Sequence, residues 1–156
     1  MEERIEPCDF EAFFVRSERP VRFALCARFG VDVGREATAE AFAYAWEHWN
    51  RICRMENPSG YVFRVGQGIG RRMTTRIPEQ GFLASDSEMP LVEPKLAPAL
   101  ETLTGRQRTV IVLVHALGWT HQETATFLGL STSTVQKHAE RGVDKLRRAL
   151  GVDGEY

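Results

Sequence analysis

Thr120-His-Gln-Glu-Thr-Ala-Thr-Phe-Leu-Gly129-Leu-Ser-Thr-Ser-Thr-Val135-Gln-Lys137 decides the fold of the chain's second half. It opens with a hydroxyl at Thr120 and a carboxylate three positions on at Glu123, the pairing with which a helix start satisfies two of its own free N–H groups. A short helix follows, carrying Ala125, Phe127 and Leu128, and Gly129 ends it. Ser131 is placed to cap the next helix, on which Val135, Ala139, Val143, Leu146 and Leu150 recur at three- and four-residue steps. Helix, glycine-containing turn, then a longer basic helix is the layout of a helix-turn-helix. The outward positions of its second helix are Thr132, Ser133, Thr134, Gln136, Lys137, His138 and Arg141. Lys and Arg can donate to guanine edges, Gln suits adenine, and small hydroxyls reach phosphates.

Working outward, Thr104-Gly-Arg-Gln107 repeats the capping pattern and opens a helix buried through Val110, Ile111, Leu113, Val114 and Leu117, ended by Gly118. Upstream of this lies a stretch of another kind. Ile77 to Pro94 holds Pro78, Gly81, Pro90, Pro94, two serines and four acids with no Lys or Arg, the composition of a flexible acidic linker.

The first half also reads as helices, with little of the alternation a half-buried strand would show. Phe10, Phe13 and Phe14 form an apolar stripe on a short first helix. Ser17 is expected to cap a second, with Pro20 in its first turn, where a missing N–H costs little, and Gly30 to end it. A third, from about Val33, carries Ala37, Ala41, Ala45 and Trp49 on one face with Phe42 and Trp46 beside them. Pro58 opens a fourth, running to about Arg76. Trp46 and Trp49 read as core residues rather than nucleic-acid contacts, whereas Tyr61 and Phe63 can place one ring inward and one outward. Gly66, Gly68 and Gly70 make no phosphate loop, since no strand precedes them and no Lys-Ser/Thr follows. They suggest either close backbone approach or a flexible helix end.

The 156 residues carry a net charge of −1, unevenly spread. Phe63 to Arg76 holds Arg64, Arg71, Arg72 and Arg76 with no acid, and Ser131 to Leu150 holds five cations against Glu140 and Asp144. Local patches of this kind matter more for nucleic acid than the net charge does. Cys8, Cys26 and Cys53 are odd in number and widely spaced with no CxxC pair, an arrangement that argues against a disulfide framework and a cysteine zinc site. The four histidines are scattered singly, so no metal or cofactor is expected. No catalytic motif is present, and an enzyme is not expected. No apolar run nears the roughly 18 residues of a membrane span. Met1 to Asp9 lacks the layout of a secretion signal, so a cytoplasmic protein without membrane insertion is expected.

Leu103 to Leu113 and Gly118 to Gln136 resemble region four of the sigma-70 family, above all its extracytoplasmic-function (ECF) subfamily. The likeness runs from Leu96 to Leu150. It implies that Thr132, Ser133, Thr134, Gln136, Lys137 and Arg141 face the promoter −35 element, although relatives usually have a basic residue where Gln136 stands. The first half resembles region two. There Glu36, Glu40, Phe42 and Trp46 look like the helix that grips the β′ clamp helices of RNA polymerase. Arg54, Met55, Glu56 and Asn57 look like the loop that captures a flipped −10 base, with Tyr61, Arg64, Gln67 and Arg71 on the adjoining helix. Holding unstacked bases calls for aromatic or pocket-forming groups beside cations, and this set supplies both.

The resemblance implies an all-α protein of two small helical domains: residues 1–76 for core polymerase binding and −10 melting, an acidic linker over 77–94, and residues 95–156 for −35 recognition. Its expected partners are the polymerase core, through the β′ clamp helices and the β flap, promoter DNA and an anti-sigma factor. Two alternatives stay open: a one-component helix-turn-helix regulator, or a sigma-like protein that sequesters polymerase or an anti-sigma factor.

Overall fold

The computed structural model describes residues 8–75 and 96–152, and every regular element among them is helical. The linker expected over 77–94 lies outside the described residues. Helix α1 runs Phe10–Phe29, α2 Val31–Glu47, α3 Trp49–Ile52 and α4 Pro58–Thr74. In the second half come α5 Leu96–Glu101, α6 Gly105–Ile111, a π-helical turn Val112–Ala116, α7 His121–Leu128 and α8 Thr132–Leu150.

The two helices expected before Gly30 are one. Asp9 caps α1, its carboxylate accepting from the amides of Glu11 and Ala12. The helix then continues through Ser17 and Pro20. Ser17 is buried rather than capping, in line with Phe13, Val21 and Ala24. That single apolar stripe crosses the proline unbroken, and its burial outweighs the hydrogen bond that Pro20 cannot donate. Gly30, at φ 92°, ends α1 and starts α2 at once. Trp49 leaves the α2 face, because the chain breaks at His48 and Trp49 begins α3.

Small residues let α1, α2 and α4 lie close. A Cβ on Gly34 would come within 2.5 Å of the Cys26 backbone. One on Gly70 would sit 2.6 Å from the Phe29 ring, and one on Gly66 would strike the Leu25 side chain. Close helix approach is thus the reason for Gly66 and Gly70, whereas Gly68 faces open space. The core these helices enclose includes Phe13, Val21, Leu25, Phe42, Trp49, Ile52, Val62 and Phe63.

In the second half both capping boxes form, at Thr104 with Gln107 and at Thr120 with Glu123. Gly129 takes the left-handed conformation, φ 68°, that turns α7 into α8, and the Leu130 amide donates to the Ala125 carbonyl at 2.9 Å. Ser131 caps α8 as its hydroxyl accepts from the Thr134 amide. Val110, Ala125, Val135 and Ala139 form the small core of this module. The helix expected to run straight to Gly118 widens after Ile111 into the π turn, where the Leu117 amide reaches the Val112 carbonyl at 3.1 Å.

The two halves are packed together. Leu113 and Phe127 join the main core, and the Phe63 and Phe127 ring centroids are 5.2 Å apart. The Arg108 guanidinium donates across the seam to the carbonyls of Ala27 and Arg28. Asn57 Nδ2 donates to the Thr126 carbonyl at 2.6 Å.

The fold also corrects the cysteine expectation: Cys8 and Cys53 are joined as a disulfide, and Cys26 is buried and free. Their spacing in sequence gave no sign of it, because three helices intervene and return the chain to its start.

Candidate nucleic-acid interface

On α8 the buried positions Val135, Ala139 and Gly142 turn inward, which leaves the opposite face to solvent. Thr132, Ser133, Gln136, Lys137 and Arg141 are exposed there, and Thr134 is half-buried. Gln136 Nε2 donates to Glu140 Oε1 at 3.1 Å, so its amide is oriented by the neighbouring turn. Lys137 and Arg141 have no carboxylate partner within ion-pair distance among the described residues. Lys145 belongs to the scaffold instead, its Nζ donating to Gln107 Oε1 at 3.1 Å. His138 is half-buried at the edge of this face, and burial, with Arg106 and Arg141 nearby, pushes its imidazole below the usual histidine value. It therefore adds no charge to the face at neutral pH.

The first-half set is divided by the packing of the halves. Arg54 and Glu56 are exposed in the loop before α4, with Met55 and Asn57 half-buried. The Asn57 side chain is fully engaged: its oxygen caps α4 by accepting from the Gly60 amide at 3.1 Å, while its nitrogen reaches Thr126 across the seam. Tyr61 stays half-exposed, its ring 5.8 Å from the Arg51 guanidinium carbon and its hydroxyl accepting from the same group, while Phe63 points into the core. Arg64, Gln67 and Arg71 face the helix-turn-helix. With Arg28 and Arg106 they line a cleft of about 210 Å³ between the halves. Burial, together with the like charges of Arg71 and Arg106, lowers the Arg28 pKa from its usual value. Sequence reasoning missed Arg28 and Arg106, whose role appears only when the halves meet.

The third set lies on α2. Glu36 and Glu40 are exposed. Phe42, expected at a partner surface, is 4% exposed and packs between Phe13 and Phe14, so it cannot project outward. Trp46, read as a core residue rather than a nucleic-acid contact and also as part of the polymerase grip, is 65% exposed and so is not in the core. It walls an apolar groove of about 520 Å³ together with Phe10, Phe14, Ala39 and Ala43, over a floor that includes Phe42. Phe14 was legible as a candidate, since adjacent Phe13 and Phe14 cannot both face the core from one helix. Among the described residues no cluster of side chains could hold a metal ion, and no helix is long and apolar enough to cross a membrane.

Residues 95–146 match the family described as sigma-70, region 4. Over 68 residues the chain is 34% identical to the RNA polymerase sigma factor CarQ of Myxococcus xanthus, a match covering 44% of this chain and 39% of that protein. The chain thus spans about two-fifths of the curated relative's length. Two solved structures share the fold. The sigma factor RpoE bound to the anti-sigma factor NepR, from Bartonella quintana, superposes with a TM-score of 0.70 at 20% identity, over 94% of this chain and 99% of that one. CnrH in complex with the cytosolic domain of CnrY gives 0.61 at 22% identity, over 93% and 89%.

Proposed function

We propose that this chain is a sigma factor of the sigma-70 family, of the extracytoplasmic-function type, that directs RNA polymerase core to specific promoters and opens their −10 region; the region 4 match over residues 95–146 and the fold shared with solved sigma factors support this. The observation that carries the reading is the α8 face: a matched region-four segment presents Lys137 and Arg141, unpaired among the described residues, from a helix seated by a formed cap, turn and core. In this reading Thr132, Ser133, Thr134, Gln136, Lys137 and Arg141 contact the −35 element. Arg54, Met55, Glu56, Asn57, Tyr61, Arg64, Gln67 and Arg71 capture and hold the opened −10 strand, with aromatic and cationic groups supplying stacking and phosphate contacts.

Glu36, Glu40 and Trp46 flank a surface for the β′ clamp helices, and region four docks on the β flap. Polymerisation belongs to the core enzyme; this chain supplies binding energy and no catalytic step. RpoE and CnrH were both solved with a bound partner, the former with an anti-sigma factor. That supports an anti-sigma factor as a regulator here, in the cytoplasm where polymerase works.

Run-off transcription tests the proposal. Core enzyme plus this chain is expected to initiate from a set of genomic promoters that core alone ignores, and from fork-opened templates of the same promoters. Initiation from neither template would overturn it.

A further inference from the structure

Cys8 and Cys53 are 45 positions apart, yet the fold brings their Cα atoms to 5.2 Å. That lies inside the roughly 4.4–6.8 Å that a disulfide accepts. The approach does not rest on the bond alone. Trp49 Nε1 donates to the Cys8 carbonyl at 2.6 Å, and its ring is held against Phe10 and Phe13. A reduced pair therefore stays within reach, and a Cys53 thiol has the Asn50 carbonyl 3.6 Å away to receive its S–H. Cys8 is exposed and Cys53 half-buried. Cys26 differs: it is buried, burial pushes its thiol up to about 11, and so little reactive thiolate forms. Inside cells that keep thiols reduced, a disulfide is more often transient or redox-sensing than structural. Cys53 directly precedes Arg54–Asn57, so whatever fixes Cys53 also fixes one end of that loop.

We propose that Cys8 and Cys53 form a reversible thiol–disulfide couple that tethers the loop of residues 54–57 to the start of α1 and thereby slows promoter opening; the effect on opening rests on the sigma-factor reading above. The oxidant is hydrogen peroxide. The exposed Cys8 thiolate attacks one peroxide oxygen, the O–O bond breaks, the departing oxygen takes a proton to become water, and Cys8 becomes a sulfenic acid. The Cys53 thiolate then attacks the Cys8 sulfur: the S–S bond forms, the S–O bond breaks, and the hydroxyl leaves with a proton as a second water. Two thiols lose two electrons and two protons, and one hydrogen peroxide becomes two waters. A dithiol reductant reverses the step by two thiol–disulfide exchanges and ends as its own cyclic disulfide. Capturing a flipped base requires the loop to close around it, and a loop bonded to α1 has less freedom to do so.

The test uses the full chain, reduced and then treated with hydrogen peroxide. Alkylation and peptide mapping should show one Cys8–Cys53 linked peptide after treatment, its loss with dithiothreitol, and Cys26 alkylated only after unfolding. Trypsin should cut after Arg54 several-fold more slowly in the oxidised protein than in the reduced protein, and Cys8→Ser should cleave at the reduced rate in either condition. With core polymerase, open-complex formation on a duplex promoter should be several-fold slower for the oxidised form, and the Cys8→Ser variant should not respond. Separately alkylated Cys8 and Cys53 after peroxide, or equal tryptic rates, would overturn the couple. Equal opening rates in the two forms would overturn its regulatory effect. Loss of all transcription in both forms would instead count against the sigma-factor reading, and the peptide map and tryptic rates would still decide the couple.

Discussion

At the scale of single residues, two glycines on packed helices, Gly34 and Gly68, differ in what surrounds them. A Cβ at Gly34 would meet the Cys26 Cα and amide nitrogen at 2.5 Å, and backbone cannot swing aside as a side chain can. Gly34→Ala is expected to cost about 1–3 kcal/mol, the range of overpacked sites. Gly68 has nothing within 4 Å, so Gly68→Ala should add up to about 1 kcal/mol through helix propensity alone. Urea unfolding followed by circular dichroism checks both, and shifts of the same sign would contradict the packing of α1 on α2 and α4. On α8, Arg141→Ala should weaken holoenzyme binding to the promoter by about 1–3 kcal/mol if its contact is bidentate to a base, while Lys145→Ala should leave −35 preference unchanged. Equal effects at both positions, measured by competition between promoter variants, would remove the assignment of the reading face. Much of that face was legible because a helix with one apolar stripe declares its opposite side. Phe42 and Trp46 were not legible: they stand four apart on one helix, and only the rings of α1 decide which is covered. Phe42 lies between Phe13 and Phe14, whereas Trp46 meets the edge of Phe10 and remains open.

At the scale of elements, legibility followed the distance over which a signal acts. The boxes at Thr104 and Thr120, the Ser131 cap and the Gly129 turn are local chemistry, complete within a few residues, and all were readable from the chain. The start of α1 was misread for the converse reason. Ser17 and Pro20 are good start signals in isolation, but they sit within a stripe whose burial keeps the helix going. The Cys8–Cys53 pair and the reason for Gly66 and Gly70 depend on which helices meet, and no local pattern encodes that. Thr120→Ala tests the cap as a stability element. It removes the acceptor for the Glu123 amide, 3.0 Å away, while the backbone amide of residue 120 that donates to the Glu123 carboxylate at 2.9 Å stays in place. The expected loss is about 1 kcal/mol. Amide exchange should quicken at Glu123 before it does in α8. Uniform loss of protection across the module would show that the cap serves the whole unit rather than the start of α7.

At the scale of the whole molecule, the seam between the halves bears on how DNA could be met. Phe63, Phe127, Asn57 and Arg108 each have a sufficient local explanation, and no local pattern joins them. Joined, they bring Arg64, Gln67 and Arg71 beside the helix-turn-helix along one cleft, where Arg64 and Arg71 stay exposed to solvent. Arg28 and Arg106 complete a cleft whose guanidiniums repel one another. The isolated chain is therefore expected to bind duplex promoter DNA poorly, since a cleft of about 210 Å³ cannot admit a duplex and its arginines cannot follow the same backbone as the α8 face. Salt should matter little, because the slope of log affinity against log salt is roughly −0.9 for each phosphate neutralised, and few of the cations can reach one duplex at once. Docking on core polymerase would part the halves and let the four arginines engage DNA together with the reading face. Binding should then become tight and its salt slope steeper by several units. A salt titration of promoter binding with and without core enzyme measures both. Tight, sequence-specific binding by the free chain at physiological salt would mean that the closed seam does not hold in solution. It would favour a one-component regulator over a factor that acts only on polymerase.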